Sequence, residues 1–180
     1  VKFFAVCVGV AFMLMGCSDF YKKKFVHIAS AHYKSQDEKS IKEREIQAMR
    51  KSQILQDNHT QILMIARYIN EIDKKWIGAE SGEVFLIEVY DKLDVVSEKN
   101  MKFSLKTAYN SLESSKIEKL DSKNLGNFSP DITYNDVYFV AFEGIGKRGK
   151  DTLKLFAEIK GVGRMSFDFG YAKRESKLTQ

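Results

Sequence analysis

The residues able to do chemistry are few, and their spacing organises almost none of them. The three histidines are His27, His32 and His59. His27 and His32 stand five apart, so they miss the i, i+4 spacing that puts two zinc ligands on one helical face, and neither has a carboxylate at motif distance. They read as solvated histidines, and no metal site is expected. The run Gly144-Ile145-Gly146-Lys147-Arg148-Gly149 looks at first like a phosphate loop. A phosphate loop needs four residues between its first Gly and a Gly-Lys-Ser/Thr, with a helix following. Here the glycines are too close and a strand pattern follows, so the run reads as a hairpin tip. Its cations Lys147, Arg148 and Lys150 form a weak anion or partner contact at most. No Gly-x-Ser-x-Gly occurs, and Ser81 and Ser129 sit among turn residues without a base at recognisable spacing. Asp91 and Asp94 are a carboxylate pair, but spacing alone gives them no separate environments that would set an acid apart from a base. No catalytic residue is assigned, the chain is read as a non-enzyme, and no cofactor is expected.

Composition leaves room for one core. The chain has 180 residues, 44% of them apolar, with one proline and eleven glycines. That is enough for a single sizeable domain once polar segments are set aside. The formal net charge is +5, and the excess is dispersed. A nucleic-acid binder concentrates basic residues in a stripe with interleaved aromatics, so nucleic acid is not an expected partner. The only basic triplet, Lys22, Lys23 and Lys24, lies close behind Cys17. Beside a membrane such residues gain roughly 1 kcal/mol each from anionic headgroups.

The N-terminus reads VKFFAVCVGVAFMLMGC. Lys2 gives a minimal positive region, and the apolar stretch behind it is too short for a spanning helix of about 20 residues. It fits the hydrophobic region of an export signal. Leu14-Met15-Gly16-Cys17 resembles the lipobox of bacterial lipoproteins, with Met15 standing where a smaller or β-branched residue is usual. The resemblance implies cleavage between Gly16 and Cys17, a diacylglycerol on the Cys17 thiol and acylation of the new amine. A small residue at Gly16 leaves room for cleavage beside the bulky adduct. Cys7 lies inside the removed segment, so the mature chain keeps no free thiol for a disulfide or a sulfur-based zinc site. Ser18 after the cysteine implies, by the family's sorting habit, the outer rather than the inner membrane.

The rest is read as a polar, partly helical tether over 17–51, a β-rich domain over 52–172 and a polar tail over 173–180. Asp37 to Met49 is rich in helix formers, with Glu43 and Glu45 placed to pair with Lys39 or Lys42. From Ser52 the pattern shifts to short apolar bursts and period two. SQILQ, the turn signal Asp57-Asn58, and QILMIARYI suggest two strands, the second apolar on both faces as in a sheet centre. EVFLIEVY places Phe85, Ile87 and Val89 on one face. MKFSLK, KIEKL, YNDVYFVAFE, DTLKLFAEIK and RMSFDFGYA complete the set. In the last, Met165, Phe167, Phe169 and Tyr171 alternate with Ser166, Asp168 and Gly170. Gly161-Val162-Gly163 provides a hairpin link. Seven or eight short strands at this spacing predict an antiparallel β-sandwich. A competing reading runs one helix across 37–72, and it would have to pass Asp57-Asn58-His59-Thr60, four poor helix formers.

The rhythm of ILMIARYIN, GEVFLIEVY, YNDVYFVAF and LKLFAEIKGVGRMSFDF resembles the small immunoglobulin-like lipoproteins of epsilon-class proteobacteria. The likeness spans roughly 50–172 and implies a cell-envelope, adhesion-related role, carrying no binding residue across. The expectation is a lipid-anchored binding module whose partner is an envelope or host-surface protein. Trp76, between two strands, reads first as a cap on one end of the sandwich core and otherwise as a partner contact, and Lys147 and Arg148 are further contact candidates. The alternative is a periplasm-facing envelope enzyme or small-ligand carrier. If the anchor assignment is right, Cys17→Ser abolishes incorporation of labelled fatty acid and releases the product from the detergent phase. Continued labelling of that variant rules the assignment out.

Overall fold

A computed structural model describes residues 36–73, 82–121, 123, 125, 128 and 130–170, with backbone alone at 36–38, 147 and 148. Helix α1 (Gln36–Gln47) precedes strands β1 (Met49–Gln56) and β2 (His59–Tyr68), a single helical turn α2 (Ile69–Ile72), and β3 (Glu83–Asp91). Then come β4 (Met101–Lys106), β5 (Ser111–Glu113), β6 (Lys116–Leu120), β7 (Asp136–Phe142), a 3-10 helix (Lys147–Thr152), β8 (Lys154–Ile159) and β9 (Gly163–Asp168). Every strand pairing is antiparallel. One sheet runs β1-β2-β3-β7-β6 and the other β5-β4-β8-β9. The β-sandwich expected from the strand rhythm is therefore present.

The finer immunoglobulin-like order is not confirmed. In that order the first strands of the two sheets interleave, with the second strand of the chain paired to the fifth. Here β1, β2 and β3 form a meander within one sheet. The cause is local: the connections at 57–58 and 69–82 return the chain to the strand it has just left. Asp57 and Asn58 both adopt positive φ, at 50° and 62°, and join Gln56 to His59. Two left-handed residues make the tight turn whose twist matches antiparallel strands, and Asp and Asn tolerate that conformation better than most residues. This turn also ends the long-helix alternative, since α1 stops at Gln47 and β1 begins at Met49. Near the turn the register slips so that Ile54 faces Ile62 but Leu55 faces Thr60, which makes Gln61 a bulge.

Asn70 secures the second connection. Its Nδ2 donates to the Gly82 carbonyl at 2.8 Å, and its Oδ1 accepts from Val84 N at 2.9 Å. Gly82 lies at φ +83°, and a Cβ there would fall 2.2 Å from the Phe142 carbonyl oxygen. Only glycine allows β7 to pass so close. The sequence reading missed α2, taking Ile69 as a strand residue. Ile69 and Ile72 are buried, and their spacing within one helical turn carries no signal apart from the strand before it.

The core lies between the sheets. Met64, Ala66 and Tyr68 of β2 join Phe85, Ile87 and Val89 of β3 and Tyr138, Val140 and Phe142 of β7. From the other sheet come Met101, Phe103 and Leu105, Leu155, Ala157 and Ile159, and Met165 and Phe167, with Phe169 just beyond β9. Phe169 reaches across to Phe85 at 5.3 Å and to Tyr68 at 5.9 Å between ring centroids, and Phe85 stacks on Tyr68 at 4.9 Å. Offset and tilted rings suit the quadrupoles of these side chains.

The two sheets also meet at their margins. β5 and β6 are one run of chain that changes sheet at a corner: Ser114 N donates to Phe103 O at 3.0 Å, and Ser115 N to Ala141 O at 2.8 Å. On the opposite side Arg50 Nε donates to Asp168 O at 2.6 Å, linking β1 to β9.

The alternation expected for the last strand holds over 165–169, where Met165, Phe167 and Phe169 are buried and Ser166 and Asp168 exposed. Tyr171 lies outside the described residues. Phe167→Ala should cost roughly 3–5 kcal/mol in denaturant unfolding through the cavity it leaves, whereas Ser166→Ala should change stability by less than about 0.5 kcal/mol. Equal small effects would place Phe167 outside the core.

Candidate interaction surface

Two charged residues interrupt otherwise apolar strands: Arg67 in ILMIARY and Glu88 in VFLIEVY. Alternation puts both on the outer face of the five-stranded sheet, away from the core. Both are nonetheless 0% exposed, because α1 and the segment before β7 cover that face. The Arg67 guanidinium is shared among three carboxylates. Its Nε donates to Glu45 Oε1 of α1 at 3.1 Å, Nη1 to Glu88 Oε2 at 3.1 Å and Nη2 to Asp131 Oδ1 at 2.7 Å. The Phe128 ring lies against it, 4.8 Å from Cζ to centroid. Lys42 pairs with Glu45 at 2.7 Å and Lys51 with Asp131 at 3.6 Å. Three cations thus balance three carboxylates, and the planar fork of arginine alone offers enough donors to link them all.

Glu88 does more than neutralise Arg67. It accepts from Asp131 N and Ile132 N, each at 3.0 Å, and from Asn135 Nδ2 at 2.7 Å. Asn135 N returns to Ile132 O at 3.0 Å. A buried carboxylate therefore holds the loop 131–135 at both of its ends. Between them Tyr134 is 95% exposed and Ile132 43% exposed. Tyr90, two residues beyond Glu88 on the same face of β3, is also exposed. The arrangement presents an aromatic ring on a loop that is already ordered.

A second polar cluster closes the other end of the sandwich. Tyr68 Oη and Asn70 Nδ2 donate to Glu83 Oε2, the latter at 2.9 Å, and Ile145 N donates to Glu83 Oε1 at 3.3 Å. Lys150 Nζ stands 3.8 Å from Glu83 and 5.6 Å from the Tyr68 ring centroid. Burial, then the hydrogen bond to Glu83, hold the Tyr68 phenol well above the usual tyrosine range. Burial likewise pushes the Tyr138 phenol up to about 12, with Asp136, Glu98 and Asp91 adding to the shift. Phenols held neutral in this way serve as donors rather than bases. Glu83 is a clamp on the β7–β8 loop, and nothing near it forms a nucleophile–base pair.

Among the described residues, those singled out from sequence form no common site. Gly16, Cys17, His27, His32, Trp76, Ser81 and Ser129 lie outside the described residues. Lys147 and Arg148 open the 3-10 helix where a hairpin tip was expected, and Lys150 of the same run is engaged by Glu83. His59 is exposed beside the β1–β2 turn. Asp91 accepts from Leu93 N, Val95 N and Val96 N at 2.6–2.9 Å, which commits its carboxylate to shaping a turn. No cluster of metal-ligating side chains occurs among the described residues. No helix among them is long and apolar enough to cross a membrane. The sequence reading missed Arg67, Glu88 and Tyr134. A signal was available in two opposite charges, each centred in a strand too apolar to face water on either side.

Glu88→Ala should destabilise the fold by about 3–5 kcal/mol, because it leaves the buried Arg67 short of a partner. Tyr134→Ala should move stability by less than about 0.5 kcal/mol. Chemical unfolding of the two variants reads this contrast, and a large loss at Tyr134 would show the ring to be structural. Comparison with protein-family models, with curated proteins and with solved structures finds no match for this chain.

Proposed function

We propose that this protein is a lipid-anchored cell-envelope binding module that meets its partner through the loop 131–135. The observation that carries the reading is Tyr134, fully exposed on a loop fixed from below by a fully buried carboxylate. Tyrosine supplies a large, amphipathic contact with few rotatable bonds, and such residues dominate binding energy at interfaces. A loop ordered before contact also avoids much of the entropy loss that association otherwise brings.

The anchor is the lipobox cysteine, Cys17, acylated after cleavage behind Gly16, with the outer membrane as its destination. Confinement to a membrane plane raises the effective concentration of domain and partner, so modest contacts suffice. The partner class is an envelope or host-surface protein, in keeping with an adhesion-related role. The buried charges Arg67, Glu88 and Glu83 and the carboxylate of Asp91 are spent on holding covering segments and turns, which favours recognition over catalysis at these positions.

The test is a photo-reactive phenylalanine analogue placed at Tyr134 in the lipidated protein, irradiated in intact cells. A discrete adduct at position 134 is expected, and none with the analogue at Tyr109. Tyr109 is also exposed, on the β4–β5 hairpin next to Ala108, whose N–H donates to Thr152 at the other end of the sandwich. Adducts absent at 134, or identical at both positions, would falsify the reading.

A further inference from the structure

The four-stranded sheet leaves its outer face open, with strands that alternate buried and exposed residues. Where the chain passes from β5 to β6 at the Ser114–Ser115 corner, a trough of about 510 Å³ forms, within the range typical of small-ligand sites. Ser104, Ile117, Phe156 and Arg164 line it, together with Lys102 and the carboxylates Glu113 and Glu158. The register sets Lys102 opposite Glu158, and Glu158 opposite Arg164. These are the neighbours that ordinarily pair across strands, yet no ion pair joins them. Arg164 instead sits over the Phe156 ring, 4.2 Å from Cζ to centroid, and Lys106 approaches the same ring at 5.5 Å.

A guanidinium stacked on an aromatic ring keeps its N–H edge free. Among the described residues no carboxylate occupies that edge. The planar fork matches a carboxylate in two parallel hydrogen bonds, and stacking has already fixed its orientation.

We propose that the trough binds a small carboxylate-bearing ligand, with its acid group on Arg164 and its body against Phe156 and Ile117. Glu158, between Lys102 and Arg164, sets the selectivity. It repels dense multiple charge, so a monoanionic planar carboxylate is preferred to phosphate or sulfate. Such a carboxylate occurs on an acylated amino acid or on a uronic sugar, and the two differ in the body that must lie against the ring.

The test uses the full-length protein in detergent and saturation-transfer NMR. The probes are N-acetylphenylalanine and glucuronic acid, each beside its neutral counterpart, N-acetylphenylalanine amide or glucose. One acid is expected to bind, and its identity names the ligand source. Its neutral counterpart should bind about tenfold more weakly or worse. Arg164→Gln should reproduce that loss and Arg164→Lys should restore little of it, while Glu158→Gln tightens binding severalfold. Both positions are exposed, so the unfolding midpoint of each variant checks that the fold is intact. The proposal is overturned if neither acid binds, if acid and neutral forms bind alike, or if Arg164→Gln leaves binding unchanged. None of these outcomes depends on the lipid anchor or on Tyr134.

Discussion

Arg67 is the point on which separate parts of the chain converge. Its guanidinium lies under α1 and the segment before β7, on the face of the sheet opposite the apolar core. Removing a cation from water costs several kcal/mol, and attraction to a single carboxylate recovers this only with near-ideal geometry. Here three carboxylates and an aromatic face share the task, and two lysines at the rim complete the neutrality. A packed apolar side chain could fill the same space at no electrostatic cost. What it could not do is tie α1, β3 and the segment around 131 to one atom group. The outer cover is therefore positioned by directional bonds, whereas the inner core is positioned by shape.

This division explains what could be read from the sequence. The inner face obeys a period of two, and the pattern of Met165, Phe167 and Phe169 against Ser166 and Asp168 is visible by inspection. The Asp57-Asn58 turn is visible for the same reason, since few residue pairs accept two left-handed conformations. The strand order is not visible. It depends on which edges meet, and that is decided by a glycine under β7 and an asparagine across a connection, neither of which has a periodic signature. The ordering of the loop 131–135 was hidden for a different reason. Tyr134 looks like any surface tyrosine until Glu88, 46 positions earlier, is seen to hold the backbone on either side of it. A single-sequence reading treats a charge in an apolar strand as an irregularity, although a matched pair of them is a sign that something covers the face.

The chemistry follows the same logic. Carboxylates that might have served as acids or bases are saturated by backbone donors: Asp91 by three amides, Glu88 by two amides and an asparagine, Glu83 by an amide, a phenol and an asparagine. By contrast, the donors of Arg164 face the solvent with no carboxylate on them among the described residues, and Tyr134 offers an exposed ring. Unsatisfied groups mark where the molecule can still gain by contact.

The corner at Ser114–Ser115 and the Arg50 bridge from β1 to β9 have a consequence beyond stability. A strand at a sheet margin ordinarily exposes a ladder of unpaired amides and carbonyls, which invites edge-to-edge growth with another copy. In this sandwich one margin is consumed by the chain itself as it turns from sheet to sheet, and the other lies alongside its counterpart. An arginine side chain occupies the carbonyl through which that second margin would start to pair. These contacts shorten the run of free edge that another β-rich chain could pair with.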